Sequence, residues 1–149
     1  MKKLTYTETI SAPASTVWST MLDDATYREW TSEFGDSHYT GSWELGSQIR
    51  FIGQDDDGTT GGMLGHITAN RPHEYVEVEY LGQILDGADD TESEFAKSIA
   101  GTHESYTFTE NDGVTTVVVE LDSTDELAEM FDELWPAALA KLKKIAELG

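Results

Sequence analysis

Two histidines are the residues of this chain whose chemistry is most versatile. His66 and His103 both fall in segments that we expect to be strands. A histidine pair with an acid can bind a metal ion or transfer protons near neutral pH. The sequence does not bring the two together, and it has no HExxH-type spacing. We therefore expect surface or partly buried histidines and predict no metal and no cofactor.

Acidic residues form two local clusters. Asp55-Asp56-Asp57-Gly58 is only superficially similar to a calcium loop, because the alternating acids and the distal Glu of that loop are absent. We expect a solvated hairpin tip there. The second cluster is expected to be a solvated rim and comprises Asp86, Asp89, Asp90, Glu92 and Glu94.

Composition narrows the function classes. The 149 residues include no cysteine, which excludes disulfides and thiolate chemistry. A net charge of -20, from 29 acidic and 9 basic residues, argues against nucleic acid or an anionic membrane as partner. No nucleophile–base pair, phosphate loop or paired-carboxylate signature is present, so we predict no catalytic residue, and an enzyme lacks support.

No apolar run follows Lys2 and Lys3, and no stretch approaches the roughly 18 apolar residues that a membrane span needs. We therefore expect a cytoplasmic protein without membrane insertion. The length predicts one domain over residues 1–149.

Seven segments have the alternation or the turn boundaries of strands. In the clearest one, Val76, Val78 and Tyr80 share one face, while Glu77 and Glu79 share the other. The predicted strands are residues 3–11, 37–44, 47–54, 61–69, 74–82, 103–110 and 114–122.

Two short helices are predicted after the first strand. Ser11 is the expected N-cap, Pro13 the first helical residue, and a second helix covers Ala25 to Trp30. The tail from Thr124 to Leu148 has helical periodicity. It begins with a capping-box pattern at Ser123 and Glu126, and Pro136 should kink or restart it.

The long segment 83–103 connects two strands. Thr91 and Glu94 form a capping-box pattern, and Gly101 is a plausible end, so we predict a helix at about 91–100 flanked by flexible Asp86-Gly87 and Gly101. Phe95 and Ile99 lie one turn apart on it. We interpret this helix as a lid over a pocket mouth, and a fixed surface helix is the alternative.

This order of elements predicts an α+β architecture in which a curved sheet wraps around one long helix. Its curved seven-stranded antiparallel sheet must bury one apolar face, and the long C-terminal helix is the only large apolar element available. A curved sheet around one helix leaves an apolar pocket between them, closed by the two short helices.

Several motifs, spread over nearly the whole chain, carry a resemblance to a known family. They are Ile10 to Trp18, Tyr27-Arg28-Glu29-Trp30, Trp43 to Ser47, Gly61-Gly62, Asn70-Arg71-Pro72 and Phe131 to Leu142. In this ordered set the chain resembles the START-like (SRPBCC) superfamily, in the branch homologous to the activator of the heat-shock-protein-90 ATPase. The resemblance implies the helix-grip fold and either ligand carriage, cyclase chemistry or a cochaperone role.

Large aromatic and apolar side chains are the candidate pocket lining. Ordinary core packing is the alternative for each, and Trp135 is the strongest candidate because Pro136 follows it. The predicted lining comprises Trp18, Trp30, Phe51, Met63, Tyr80, Tyr106, Phe108, Phe131 and Trp135, with Phe95 and Ile99 as the lid.

Three functions remain open on the sequence. The first is binding of a small hydrophobic or amphipathic molecule, such as a lipid, oriented by a tyrosine, a histidine or Arg50. The second is interaction with a chaperone or another protein, which requires an exposed patch and a filled pocket. The third is a cyclase- or dehydratase-like enzyme, which requires a polar pair in the pocket with a perturbed pKa.

Overall fold

The computed structural model describes residues 1–54 and 60–148, so the hairpin tip predicted at Asp55 to Gly58 lies outside the described residues. Within that part of the chain the predicted order of elements is confirmed, with one short strand added. The strands are β1 (Lys2–Ile10), β2 (Asp36–Gly41), β3 (Gln48–Gln54), β4 (Thr60–Arg71), β5 (Tyr75–Leu85), β6 (Ala88–Asp90), β7 (His103–Asn111) and β8 (Val114–Ser123). The helices are α1 (Ala14–Leu22), α2 (Asp24–Trp30), α3 (Glu94–Ile99) and α4 (Asp125–Leu148), and a 3-10 turn (Thr31–Phe34) follows α2.

The predicted antiparallel sheet has seven main strands in the order β1-β8-β7-β5-β4-β3-β2. It curls around α4, and register shifts at Leu64/Gly65 and Ile67/Ala69 interrupt the pairing of β4 with β5. Such irregularities increase strand bending and twist. The helix-grip architecture expected from the sequence is thus observed.

Alternation along the central strands separates a buried face from an accessible one. Val76, Val78 and Tyr80 of β5 are buried, as are Val117 and Val119 of β8. The residues between them on β5 and β8 are less buried. This is the pattern that the sequence predicted for half-buried strands.

Helix α4 spans 24 residues, or about 36 Å at ~1.5 Å per residue. Ala138 and Leu142 are completely buried on its inner side. Pro136 lies inside the helix, which does not restart there. Thr124, rather than Ser123, caps the first turn of α4, because Thr124 Oγ1 accepts a hydrogen bond from the Leu127 amide at 3.3 Å.

The start of α1 also differs from the prediction. Pro13 is the N-cap rather than the first helical residue, and it offers no side-chain hydrogen bond. The Glu110 carboxylate accepts a 2.7 Å hydrogen bond from the Ala14 amide instead. A side chain from β7 thus caps α1 in place of Ser11, the local cap predicted from the sequence.

The segment between β5 and β7 is more ordered than predicted. Asp86 and Gly87, with φ of 51° and 81°, form the turn of a hairpin that pairs β6 with β5, rather than a flexible helix end. Helix α3 begins after Ser93 and not after Thr91. The Ser93 hydroxyl accepts a 3.2 Å hydrogen bond from the Ala96 amide.

None of the helices in the described ranges 1–54 and 60–148 is long and apolar enough to span a membrane.

Candidate ligand cavity

A cavity of about 580 Å³ lies between the inner face of the sheet and α4. Side chains from α2, α3 and α4 line it together with residues of β3, β4, β5, β7 and β8. Ligand sites typically measure roughly 300–1,000 Å³. The cavity therefore has room for a small organic molecule.

Most of the predicted lining residues do line this cavity. They come from segments far apart in sequence, so the fold itself brings them together. Their role in binding stays a prediction. The residues are Trp30, Phe51, Met63, Tyr80, Tyr106, Phe131 and Trp135, together with Phe95 and Ile99 of the proposed lid.

Trp18 and Phe108 are corrections to that prediction, because neither lines the cavity. Their rings contact each other edge to face, with centroids 5.2 Å apart, where α1 crosses β7. Phe108 does lie on the inner face of β7, but two residues beyond Tyr106 and under α1. Both residues pack together at this end of the sheet. Core packing was the alternative role considered for each of them.

Trp135 is the centre of an aromatic cluster at the cavity wall. Its ring centroid lies 5.2 Å from Phe34, 5.8 Å from Trp30, and 6.2 Å from both Tyr6 and Tyr106. Aromatic pairs at these separations stabilise one another beyond their buried area. The cluster holds the side chain of Trp135 rigidly against the cavity.

Glu104 is the polar centre of the cavity, and the sequence analysis missed it. The Tyr80 hydroxyl donates to its Oε1 at 3.1 Å, and the Tyr106 hydroxyl donates to its Oε2. Burial raises the pKa of Glu104, while the two tyrosine hydrogen bonds act in the opposite direction. A carboxyl in a cavity whose pKa is shifted by burial is a candidate functional group.

The tyrosines around Glu104 remain protonated. Burial raises the pKa of Tyr27, Tyr80 and Tyr106 well above the usual value, and the charge of Glu104 adds to this effect. Each phenol therefore keeps its hydrogen at any physiological pH. Tyr80 and Tyr106 use theirs to hold the carboxylate in place.

Strand alternation was the signal that points to Glu104. Tyr106 and Phe108 were assigned to one face of β7, and a period of two puts Glu104 on that same face. A single acid in an apolar row faces the interior of the fold, where desolvation of its charge is costly, so it is a candidate functional residue.

The two histidines lie on the other face of the sheet, as partly exposed side chains. Contrary to expectation, they are brought together by one acid. His66 Nε2 is 2.8 Å from Glu79 Oε1, and His103 Nε2 is 3.3 Å from Glu79 Oε2. Residues 1–54 and 60–148 contain no group of three or more ligands with metal-binding geometry. Arg50 likewise lies outside the cavity lining and pairs with Asp89 at 2.6 Å.

Comparison with known proteins gives a consistent result. Solved structures with the same fold include the Aha1 dimer from Colwellia psychrerythraea, at TM-score 0.71 and 20% identity, covering 100% of this chain and 98% of that one. A protein from Nitrosomonas europaea matches at TM-score 0.71 and 12% identity, over 98% and 94% of the chains. A protein from Arthrobacter aurescens matches at 0.73 and 14%, over 99% and 87%.

No curated protein sequence matches this chain. The family described as activator of Hsp90 ATPase homolog 1-like protein matches residues 11–147, which is nearly the whole chain. The chain therefore belongs to the activator of Hsp90 ATPase homolog 1-like family.

Proposed function

We propose that this protein binds a small apolar or amphipathic molecule in the cavity between the sheet and α4. The observation that carries this proposal is the cavity itself, about 580 Å³ in volume and walled largely by aromatic and aliphatic side chains. Burial of apolar ligand surface there is worth roughly 25 cal/mol per Å² before the costs of association. Membership of a START-like family supports the same function.

A second candidate is interaction with a protein partner, as the family description suggests. Four exposed apolar side chains among the lining residues favour it: Met1, Leu85, Phe95 and Met130 are 42–66% exposed. Exposed apolar groups of this kind occur at interaction sites. A protein-interaction role was expected to require a filled pocket, however, so the open cavity favours binding of a small molecule.

A third candidate is acid–base catalysis by Glu104. Such an enzyme requires a polar pair in the pocket with a perturbed pKa, and the contacts of Glu104 with Tyr80 and Tyr106 meet that requirement. A bound substrate that is turned over would distinguish this candidate from simple binding.

Native mass spectrometry of freshly purified protein tests the first candidate. We expect an additional mass that is lost when the protein is denatured. Filling the cavity by Met63→Trp should abolish this mass, because Met63 lines the cavity. The control is Leu45→Trp, since Leu45 is 67% exposed and lies outside the lining.

Circular dichroism first establishes that both variants fold. A clean mass for the native protein, together with no calorimetric binding of either phenylbutanol or its amine analogue phenylbutylamine, would overturn the proposal. Equal loss of the additional mass in both variants would also contradict it, because adsorption to the surface would then explain the mass.

A further inference from the structure

Glu104 has acceptor capacity that none of the described residues (1–54 and 60–148) uses. A carboxylate offers about four lone-pair positions, and Tyr80 and Tyr106 occupy one on each oxygen. No cation among the described residues forms an ion pair with Glu104. Glu104 is half-buried at the wall of an apolar cavity, where a carboxylate without a counter-ion is costly, so a group that brings both a positive charge and hydrogen-bond donors would stabilise it.

The charged side chains of the lining are all acidic. Asp86, Glu104 and Asp122 are lining residues, whereas no lysine, arginine or histidine side chain in the described ranges lines the cavity. The chain as a whole carries a net charge of -20. This field disfavours an anionic ligand and attracts a cationic one.

Aromatic rings supply the second element of cation recognition. Nine aromatic residues line the cavity. Tyr80 and Tyr106 contact Glu104 directly, and the ring centroid of Trp135 lies 6.2 Å from that of Tyr106. Aromatic faces attract ammonium groups, and the attraction grows when water is excluded.

We propose that the molecule bound in this cavity carries a protonated amine, with Glu104 as its counter-ion and the aromatic wall around its apolar part. This inference rests on the proposed function and specifies the chemical class of its ligand. Tyr80 and Tyr106 orient the carboxylate so that its free lone pairs accept hydrogen bonds from the ammonium group. A neutral or anionic molecule of the same shape leaves Glu104 without a counter-ion.

Three matched probes test the inference by titration calorimetry at neutral pH: phenylbutylamine, phenylbutanol and phenylbutanoate. We expect the amine to bind about tenfold or more tightly than the alcohol, and the acid to bind weakest. The preference should persist at about 0.5 M NaCl, because salt screens a buried pair much less than surface attraction.

Glu104→Gln removes the charge with little change in shape. It should abolish the preference for the amine while leaving the affinity for phenylbutanol within about threefold. Glu104→Leu is a second variant with the same expected outcome. Glu120→Gln is the control, because it removes one charge from the accessible residues of β8, outside the lining.

The outcomes separate the two proposals. If all three probes bind equally to the native protein, or if Glu104→Gln keeps the amine preference, the amine inference is overturned while the proposed function stands. If no probe binds, the proposed function fails, and the inference fails with it. Loss of amine binding in Glu120→Gln as well would also overturn the role of Glu104.

Discussion

The Tyr80 hydroxyl on β5 donates to Oε1 of Glu104 on β7 at 3.1 Å. The contact joins two neighbouring strands on the buried face of the sheet, next to Val76 and Val78. A carboxyl group in such surroundings loses its hydration, and two phenols replace only part of it. Urea denaturation, NMR titration and hydrogen exchange can test the charges, the backbone and the cavity mouth of this fold.

Glu104→Gln should increase the free energy of unfolding at pH 7 by about 1 kcal/mol. The pKa of Glu104 is raised in the folded protein by burial. The protonated carboxyl of Glu104 therefore contributes fully to the free energy of unfolding below the unfolded-state pKa of about 4.3. Part of this contribution is lost as the pH rises through the folded-state pKa. The substitution removes that loss, so its benefit should disappear toward pH 4.

Urea denaturation at pH 7 and pH 4 measures this difference. Glu120→Gln is the control and should change stability by less than about 0.5 kcal/mol at both values. A Glu104→Gln protein that is no more stable than the native one at pH 7 would show that the two tyrosine hydrogen bonds outweigh burial.

Local patterns were sufficient to predict the seven main strands and the faces of the clearest of them, but not the short strand β6. The alternation of Val76, Val78 and Tyr80 with Glu77 and Glu79 indicated a half-buried strand, because the side-chain period of a strand does not depend on the rest of the fold. The long helical period of α4 was equally informative. Together they were enough to predict the sheet and the helix that covers it.

Contacts between distant segments could not be predicted in this way. Glu110 caps α1 across 96 positions of the chain, and Trp18 meets Phe108 rather than the cavity. The pairing of His66 and His103 with Glu79 depends on the register of three strands. Register is decided by packing of the whole sheet, and a single sequence does not reveal it.

Glu79 should have a pKa below the ordinary value for a glutamate, in contrast to Glu104. The hydrogen bond from His66 is the largest cause, and the charge of His103 adds to it. This interaction contributes stability above the unfolded pKa of the carboxyl, and the contribution is lost as the pH falls through the folded pKa. Carboxyl carbon NMR, titrated by pH, measures the midpoint directly.

Single histidine variants identify the cause. His66→Ala should raise the Glu79 midpoint more than His103→Ala does, because His66 provides the shorter contact, at 2.8 Å against 3.3 Å. A midpoint that neither substitution changes would mean that the contacts do not persist in solution.

Gly62→Ala should destabilise the fold by about 3 kcal/mol, whereas Gly61→Ala should cost less than about 1 kcal/mol. Gly62 has φ of 153°, and a Cβ there would lie 1.8 Å from the Phe51 carbonyl oxygen across the β3–β4 pair. A Cβ at Gly61 would lie 3.6 Å from its nearest neighbour, the Ile84 carbonyl oxygen, which is an ordinary contact. Urea denaturation of the two variants provides the comparison, and equal costs would contradict it.

Helix α3 should exchange its amide hydrogens faster than β5 and β7, and a bound probe should slow it. Its Phe95 is 43% exposed where it lines the cavity, while Ala96 and Ile99 anchor the helix from below. A six-residue helix held by one Ser93 cap has few bonds to lose when it opens. Ligand entry past Phe95 requires such an opening if α3 acts as a lid.

Hydrogen exchange followed by mass spectrometry, with and without saturating phenylbutylamine, measures this directly. We expect protection of residues 94–99 to increase at least severalfold on binding, with little change in β8 at Val117 and Val119, which are fully buried without ligand. The same probe should leave α3 unchanged in Met63→Trp, because the cavity is then filled. Protection of α3 that equals that of β5 and does not respond to the probe would identify it as a fixed surface helix.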